Sequence, residues 1–145
     1  METEFKKVFI DTAPFIYFIE KDNHNPHYHE NVKQFLMDAY QNDVRLFTSV
    51  ITIGEYMVFP YRINNMSSIV SFKELIAKLD IYVAEIGKKI ASDAAKIRAE
   101  YKFFNGMDAL QLAAAIQLNC DLFLTNDKQL KQFRKLKCIT IEDLV

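Results

Sequence analysis

Five short apolar runs, separated by segments with helical character, constrain the fold of this 145-residue chain more than any other feature of its sequence. The runs are continuous rather than alternating, which is typical of parallel strands buried on both faces. Strands that alternate with helices predict an α/β fold in which helices cover both faces of a parallel sheet. The predicted strands lie at 7–11, 44–48, 81–85, 121–125 and 138–141.

The segments between these runs predict helices. Thr12 followed closely by Pro14 favours a helix start, with Thr12 as the cap. Between Ile86 and Tyr101, apolar residues recur at steps of three and four, which predicts one buried helical stripe. The turn-rich stretch 60–72 predicts a mobile connection between helices. The predicted helices lie at 14–21, 28–41, 50–59, 67–79, 86–101, 106–119 and 128–133.

Composition is that of an ordinary globular protein, 50% apolar and 26% charged with a net charge of −1. The length fits one domain spanning 1–145, and no repeat or linker marks a second. No secretory leader and no membrane-length apolar stretch is visible, so we expect a cytoplasmic protein. Cys120 and Cys138 lack metal-site spacing and are expected to be buried thiols. The three glycines form neither of the common nucleotide-binding motifs, which disfavours a dehydrogenase or an NTPase.

Four acidic residues lie at or near predicted strand–helix junctions. Asp11 ends the first strand, and no basic residue follows it before Lys21. A buried charge without a partner costs several kcal/mol, so Asp11 needs a cation or hydrogen bonds. Glu55 lies one to two helical turns beyond the second strand, Asp108 opens the helix that leads into the fourth, and Asp127 follows the fourth. Because ligands of open parallel sheets bind beyond the carboxyl ends of the strands, these acids are predicted to share one site.

Each acid also has a purely local interpretation. Asn105 with Asp108, and likewise Thr52 with Glu55, have the spacing of a capping box. Asp127 could cap a short helix, and Asp11 could mark a turn or a cap. The local interpretation is common for any one such residue, and it weakens when all four adjoin apolar segments.

Several carboxylates from separate segments suit a hard divalent cation. Mg²⁺ and Mn²⁺ prefer oxygen ligands and retain several waters. Such an ion lowers the pKa of a water and neutralises charge on a phosphate, which predicts metal-assisted hydrolysis of a phosphodiester. Three polar residues beside the acids are predicted to orient them by hydrogen bonding, namely Thr12, Thr125 and Asn126.

The same residues resemble the PIN domain family, and within it the VapC-like ribonuclease toxins. The matching segments are FIDTAPFIY around Asp11, TSVITIGEY around Glu55, MDALQLAAA around Asp108 and LFLTNDKQL around Asp127. Their order and spacing span nearly the whole chain. Pro14 departs from the small or polar residue that the family often has there. The stretch 60–72 corresponds to a connection that varies among family members.

The resemblance implies a three-layer, PIN-like fold with a five-stranded parallel sheet in the order 3-2-1-4-5. It implies that Asp11, Glu55, Asp108 and Asp127 bind Mg²⁺ or Mn²⁺ and cleave RNA (tRNA, rRNA or mRNA) endonucleolytically. It also implies a homodimer and a cognate antitoxin protein. The alternative is a catalytically silent PIN-like module that binds RNA or protein.

Two further clusters of side chains are candidates for binding. The tract after Asp127 contains five cations and no acid, and a surface helix that merely aids solubility is the simpler interpretation of it. Its functional interpretation is a patch that contacts RNA phosphates, with Lys128, Lys131 and Lys135 on one helical face and Arg134 beside them. His24, His27 and His29 match no standard zinc spacing and are expected in a solvated loop.

Overall fold

The computed structural model describes residues 5–21 and 24–144. Residues 1–4, 22–23 and 145 lie outside the described residues. They include the start of the segment in which no leader is predicted, the first residue of the histidine-rich stretch and the last residue of the predicted domain. The strands are β1 (Lys7–Ile10), β2 (Arg45–Ser49), β3 (Tyr82–Ala84), β4 (Leu122–Thr125) and β5 (Cys138–Thr140). The helices are α1 (Thr12–Glu20), α2 (Pro26–Gln41), α3 (Val50–Arg62), α4 (Met66–Lys78), α5 (Lys88–Glu100) and α6 (Gly106–Gln117). Two 3₁₀ helices occupy Lys128–Gln132 and Ile141–Asp143.

The five strands form one parallel sheet in the order β3-β2-β1-β4-β5, which confirms the predicted fold class. The central strand β1 pairs with β2 on one side and β4 on the other, so that Phe9 lies beside both Phe47 and Phe123. The chain returns to the sheet through helices, as parallel pairing requires. The carboxyl ends of β1 and β4 are therefore neighbours; Asp11 follows β1 directly, and Asp127 lies two residues after the end of β4.

Side chains of β1 alternate between two apolar cores. Phe9 packs on the side of α5 and α6, and its ring stacks on that of Phe123 at a centroid distance of 5.3 Å. Val8 and Ile10 pack on the opposite side with residues of α1 to α4. Burial on both faces explains why the strands read as continuous apolar runs.

Two local predictions are wrong. The stretch 60–72 is mostly helical, because α3 continues to Arg62 and Asn65 caps α4 by accepting from the Ser68 backbone N–H at 3.3 Å. The connection between α3 and α4 is therefore only three residues long, 63–65, and Asn64 within it has a φ of 55°. The first helix begins at Thr12 and not after it, and its cap is Asp11. Within residues 5–21 and 24–144, no helix is both long and apolar enough to cross a membrane.

Candidate metal-binding acidic site

Asp11 lies at the junction of β1 and α1 and is buried. Its Oδ1 accepts hydrogen bonds from the Thr12 backbone N–H at 2.9 Å and from Nε2 of Gln111 at 3.3 Å. Its Oδ2 accepts from the Thr125 hydroxyl at 2.9 Å. Burial raises the pKa of this carboxyl, the hydrogen bonds from Thr12, Thr125 and Gln111 oppose that shift, and the charge of Glu55 adds to it. Asp11 therefore acts as a helix cap, as its local interpretation predicts, and is also held by neutral donors from two other elements.

Gln111 is the residue of this site that the sequence did not single out. It is 1% exposed and lies on α6, one turn beyond Asp108. Its Oε1 accepts from the Ser49 hydroxyl, and its Nε2 donates to Thr52 Oγ1 at 2.7 Å as well as to Asp11. Because an ionised carboxylate only accepts hydrogen bonds, the N–H groups of the Gln111 amide face Asp11 and Thr52, and its oxygen is left to accept from Ser49. The signal in the sequence was one amide, Gln111, within the otherwise apolar run 109–116 of α6.

Glu55 lies on the exposed side of α3 and accepts from the Thr12 hydroxyl at 2.6 Å. A second contact of that hydroxyl, to Thr52 Oγ1, is long at 3.4 Å. Each hydroxyl has one proton, so the short contact identifies Glu55 as the acceptor of the Thr12 proton. The capping-box interpretation of Thr52 and Glu55 is wrong, because α3 is capped by Ser49, which accepts from the Ile51 backbone N–H at 3.1 Å.

Asp108 lies in the first turn of α6, where Asn105 caps the helix by accepting from the Asp108 backbone N–H at 2.8 Å. The pKa of the Asp108 carboxyl is raised to about 7. Partial burial is the largest cause, followed by the charges of Asp11, Asp127 and Glu55 and by a hydrogen bond shared with Asp127. The cap predicted for Asn105 is therefore present, and the Asp108 side chain faces other carboxylates.

Asp127 follows β4 and caps the 3₁₀ helix Lys128–Gln132, accepting from the Gln129 backbone N–H at 3.0 Å. Its own backbone N–H donates to the Thr125 hydroxyl at 3.2 Å. Thr125 thus links the backbone of Asp127 to the carboxylate of Asp11. For Asn126, the third predicted orienting residue, no side-chain hydrogen bond to these carboxylates occurs among the described residues.

The four acids influence one another electrostatically, and in the described part of the chain they have no cationic partner. No salt bridge within 5–21 and 24–144 involves Asp11, Glu55, Asp108 or Asp127. Asp11 is buried and Asp108 and Asp127 are partly buried, so repulsion among these carboxylates is costly without a cation, and a divalent ion would relieve it. Over the same ranges, no three His, Cys, Asp or Glu side chains are arranged to hold a metal ion by themselves. Mg²⁺ typically binds through one or two carboxylates and several waters, so these oxygen donors fit a hydrated ion rather than a closed protein cage.

The basic tract differs from its predicted form. The 3₁₀ helix ends at Gln132, so Lys135 lies outside it and shares no helical face with Lys128 and Lys131. The three lysines pair with acids, at 3.6 Å between Lys128 and Glu142, 2.7 Å between Lys131 and Asp143, and 3.4 Å between Lys135 and Glu100. Exposed pairs of this kind are weak and compete poorly with a polyanion.

The histidines do not lie in one loop. Helix α2 begins at Pro26 and therefore includes His27 and His29. The His29 ring stacks on Phe18, and its Nδ1 is 2.8 Å from the Phe18 carbonyl oxygen. In the described part of the chain, the histidines belong to no group suited to a metal ion.

Strand order and the placement of the acids define an open α/β protein with an acidic site at the carboxyl edge of its sheet. Comparison with protein families matches the PIN domain over residues 8–136. The chain therefore belongs to the PIN domain family, whose members are nucleases. No curated protein matches the sequence.

Solved structures of similar fold include toxin–antitoxin complexes and a toxin. DNA-bound VapBC from Salmonella typhimurium has a TM-score of 0.74 at 16% identity, covering 93% of this chain and 98% of that one. VapBC2 from Rickettsia felis, bound to a promoter DNA fragment, has a TM-score of 0.73 at 17% identity, covering 92% and 98%. VapC20 from Mycobacterium tuberculosis, a toxin that cleaves the sarcin–ricin loop, has a TM-score of 0.61 at 14% identity, covering 80% and 86%. At these identities the likeness establishes the fold.

Proposed function

We propose that this protein is a divalent-metal-dependent endoribonuclease of the cytoplasm that hydrolyses RNA phosphodiester bonds. The observation that supports this most directly is the pKa of Asp108, which is raised to about 7 by burial and by the charges of three other acids. A PIN-family chain that retains all four carboxylates, with no lysine or arginine paired to them in its described residues, has the electrostatics of a cation site.

In this proposal, Asp11, Glu55, Asp108 and Asp127 would hold a hydrated Mg²⁺ or Mn²⁺ ion, one or two of them directly and the others through its waters. When bound, such an ion supplies an activated water and neutralises charge on the phosphate. Neighbouring polar residues orient these carboxylates. Thr125 and Gln111 hold the two oxygens of Asp11, and the Thr12 hydroxyl holds Glu55.

Hydrogen bonds from Thr12, Thr125 and Gln111 oppose the rise in the pKa of the Asp11 carboxyl that burial causes. Donation to a carboxylate favours the charged state, and the positive end of α1 has the same effect on Asp11. Asp108, with its raised pKa, is the carboxyl best able to exchange a proton near neutral pH. The lysines and Arg134 that follow Asp127 are proposed to attract the RNA backbone.

Two of the solved neighbours of this fold are VapBC complexes of the toxin–antitoxin kind, and we extend that arrangement to this chain. The proposed partners are a homodimeric second copy and a cognate antitoxin protein, with tRNA, rRNA or mRNA as the substrate. The competing function is a silent module that binds RNA or protein through the same surfaces. A test for metal-dependent RNA cleavage distinguishes the ribonuclease from the silent module.

The test incubates the protein with single-stranded RNA and Mn²⁺ or Mg²⁺, alongside EDTA and Asp108→Asn reactions. Asp93→Asn is the matched control, because Asp93 pairs with Lys89 on the surface of α5 at 2.9 Å, away from the acid cluster. We expect cleavage by wild type and Asp93→Asn and none in the other two reactions. Cleavage that survives EDTA or Asp108→Asn would refute the proposal.

A thermal-shift titration measures binding without catalysis. An ion that binds only the folded state raises the melting temperature as its concentration rises. We expect that rise with Mn²⁺ for wild type and a smaller one for Asp108→Asn. A melting temperature that does not change at millimolar Mn²⁺ would favour the silent module.

A further inference from the structure

A half-enclosed cavity of about 160 Å³ lies in the apolar core on the α2 side of the sheet. Val8 of β1, Leu122 of β4 and Ile139 of β5 line it from the sheet, and Phe35 and Ala39 line it from α2. Val8 and Leu122 are register partners near the amino ends of their strands. The cavity therefore lies toward the edge of the sheet opposite the acidic site.

The size of this cavity is unusual for a protein core. Protein interiors are close-packed, and voids larger than a water molecule are few. Val8, Ala39 and Leu122 are at most 2% exposed, so apolar side chains surround the inner end of the cavity. An apolar cavity of about 150 Å³ stays dry and binds benzene. The inner end is therefore suited to one benzene-sized ring.

Two partly buried side chains, Phe5 and Leu144, border the mouth of the cavity. The Nζ atom of Lys137 lies 5.6 Å from the centroid of the Phe5 ring. The Leu144 backbone N–H donates to the Ile141 carbonyl at 3.1 Å. Neither Phe5 nor Leu144 belongs to a strand or a helix, so either can shift to admit a ligand without breaking a hydrogen bond of the sheet.

Polar side chains of α2 form one rim of the cavity. Asn31, Gln34 and Asp38 line it at steps of three and four, which places them on one face of the helix. Nε2 of Gln34 donates to Oδ1 of Asp38 at 3.0 Å. In the described part of the chain, Oδ2 of Asp38 accepts no hydrogen bond and its carboxylate has no cationic partner. A half-buried carboxylate with a free oxygen favours a ligand that donates a hydrogen bond and disfavours an anion.

We propose that this cavity binds a small molecule that has one apolar ring and a hydrogen-bond donor, best an ammonium group, on a short arm. The ring occupies the apolar inner end, and the donor contacts Oδ2 of Asp38 at the rim. The acidic site takes no part, so binding is expected whether or not the chain cleaves RNA.

Benzylamine, toluene and benzoate test the two features separately, because they share one ring and differ in the group attached to it. Each is titrated against the full chain in EDTA, and the melting temperature and the heat of binding are measured. A ligand that binds only the folded state raises the melting temperature. We expect the largest rise with benzylamine, a smaller rise with toluene and none with benzoate.

Two variants locate the binding site. Ala39→Leu enlarges a side chain that lines the cavity and is expected to abolish binding of benzylamine and toluene. Its matched control is Ala95→Leu, at an exposed position of α5 on the other side of the sheet, which is expected to bind both as wild type does. Asp38→Asn keeps the shape of the rim and is expected to raise the Kd for benzylamine about tenfold while leaving that for toluene unchanged. Asp93→Asn is the control for the loss of one carboxylate.

Three outcomes would overturn the proposal: no rise in melting temperature with any of the three compounds at millimolar concentration, benzoate binding as tight as that of benzylamine, or wild-type benzylamine affinity in an Ala39→Leu variant that urea unfolding shows to be folded. If Ala39→Leu does not fold, unchanged benzylamine affinity of Asp38→Asn overturns it alone. These measurements involve neither RNA nor a metal ion, so a negative result leaves the ribonuclease proposal unaffected.

Discussion

Replacing Asp108 with asparagine is expected to stabilise the metal-free protein even as it abolishes the proposed activity. The folded-state pKa of Asp108 is about 7, against an ordinary value of 3.8. A raised carboxyl pKa means that the fold favours the protonated form. The corresponding stability is fully present below about pH 4 and is lost as the pH rises through 7. Asparagine cannot lose a proton and become charged, so the substitution removes the loss of stability that the ionised Asp108 causes at high pH.

The size of the effect follows from the pKa shift. Each pKa unit corresponds to about 1.36 kcal/mol, so a shift from 3.8 to about 7 gives an upper bound of roughly 4 kcal/mol. The carboxyl is only partly buried, and solvent screening reduces this to about 2 kcal/mol. Burial is the largest cause of this shift, and the charges of Asp11, Asp127 and Glu55 add to it. A bound divalent ion would offset both penalties, so stability and metal affinity are expected to change in opposite directions.

The assay is urea unfolding in EDTA at pH 8 and at pH 4 for wild type, Asp108→Asn and the surface control Asp93→Asn. We expect Asp108→Asn to exceed wild type by about 2 kcal/mol at pH 8 and to match it at pH 4. The control is expected within about 1 kcal/mol of wild type at both pH values. A gain that is absent at pH 8, or equal at both pH values, would show that the folded chain does not disfavour the charged form of Asp108.

Three further predictions concern the supporting structure. Gln111→Met removes a donor from Asp11 and is expected to lower Mn²⁺ affinity by roughly tenfold in calorimetry; unchanged affinity would contradict an orienting role. Phe123→Ala empties space beside a fully buried ring and is expected to cost about 3–5 kcal/mol in urea unfolding, and a cost below 1 kcal/mol would mean that the core collapses around it. Burial raises the pKa of both Cys120 and Cys138 to about 12, so a thiol reagent at pH 8 is expected to react with them only after unfolding. Rapid labelling of the native chain would contradict this.

The strands could be predicted because their signal is local. A run such as VFI must be buried on both faces wherever it lies, and all five runs became strands of the sheet. The connection between α3 and α4 could not be placed, since its turn-like residues act as one cap and one left-handed position. These roles depend on how two helices pack, and the composition of the stretch gave the wrong prediction.

The sequence by itself determined that four carboxylates would follow or adjoin strand–helix junctions, because apolar runs set where each strand ends. Only the tertiary structure decided which groups hydrogen-bond to these carboxylates and which acids pair with the lysines that follow Asp127. Gln111 reaches Asp11 across 100 positions of the chain, and acids of the last 3₁₀ helix neutralise Lys128 and Lys131. Hydrogen bonds and ion pairs act over a few ångströms, so their partners follow from the packing of distant segments, which no local pattern of residues encodes.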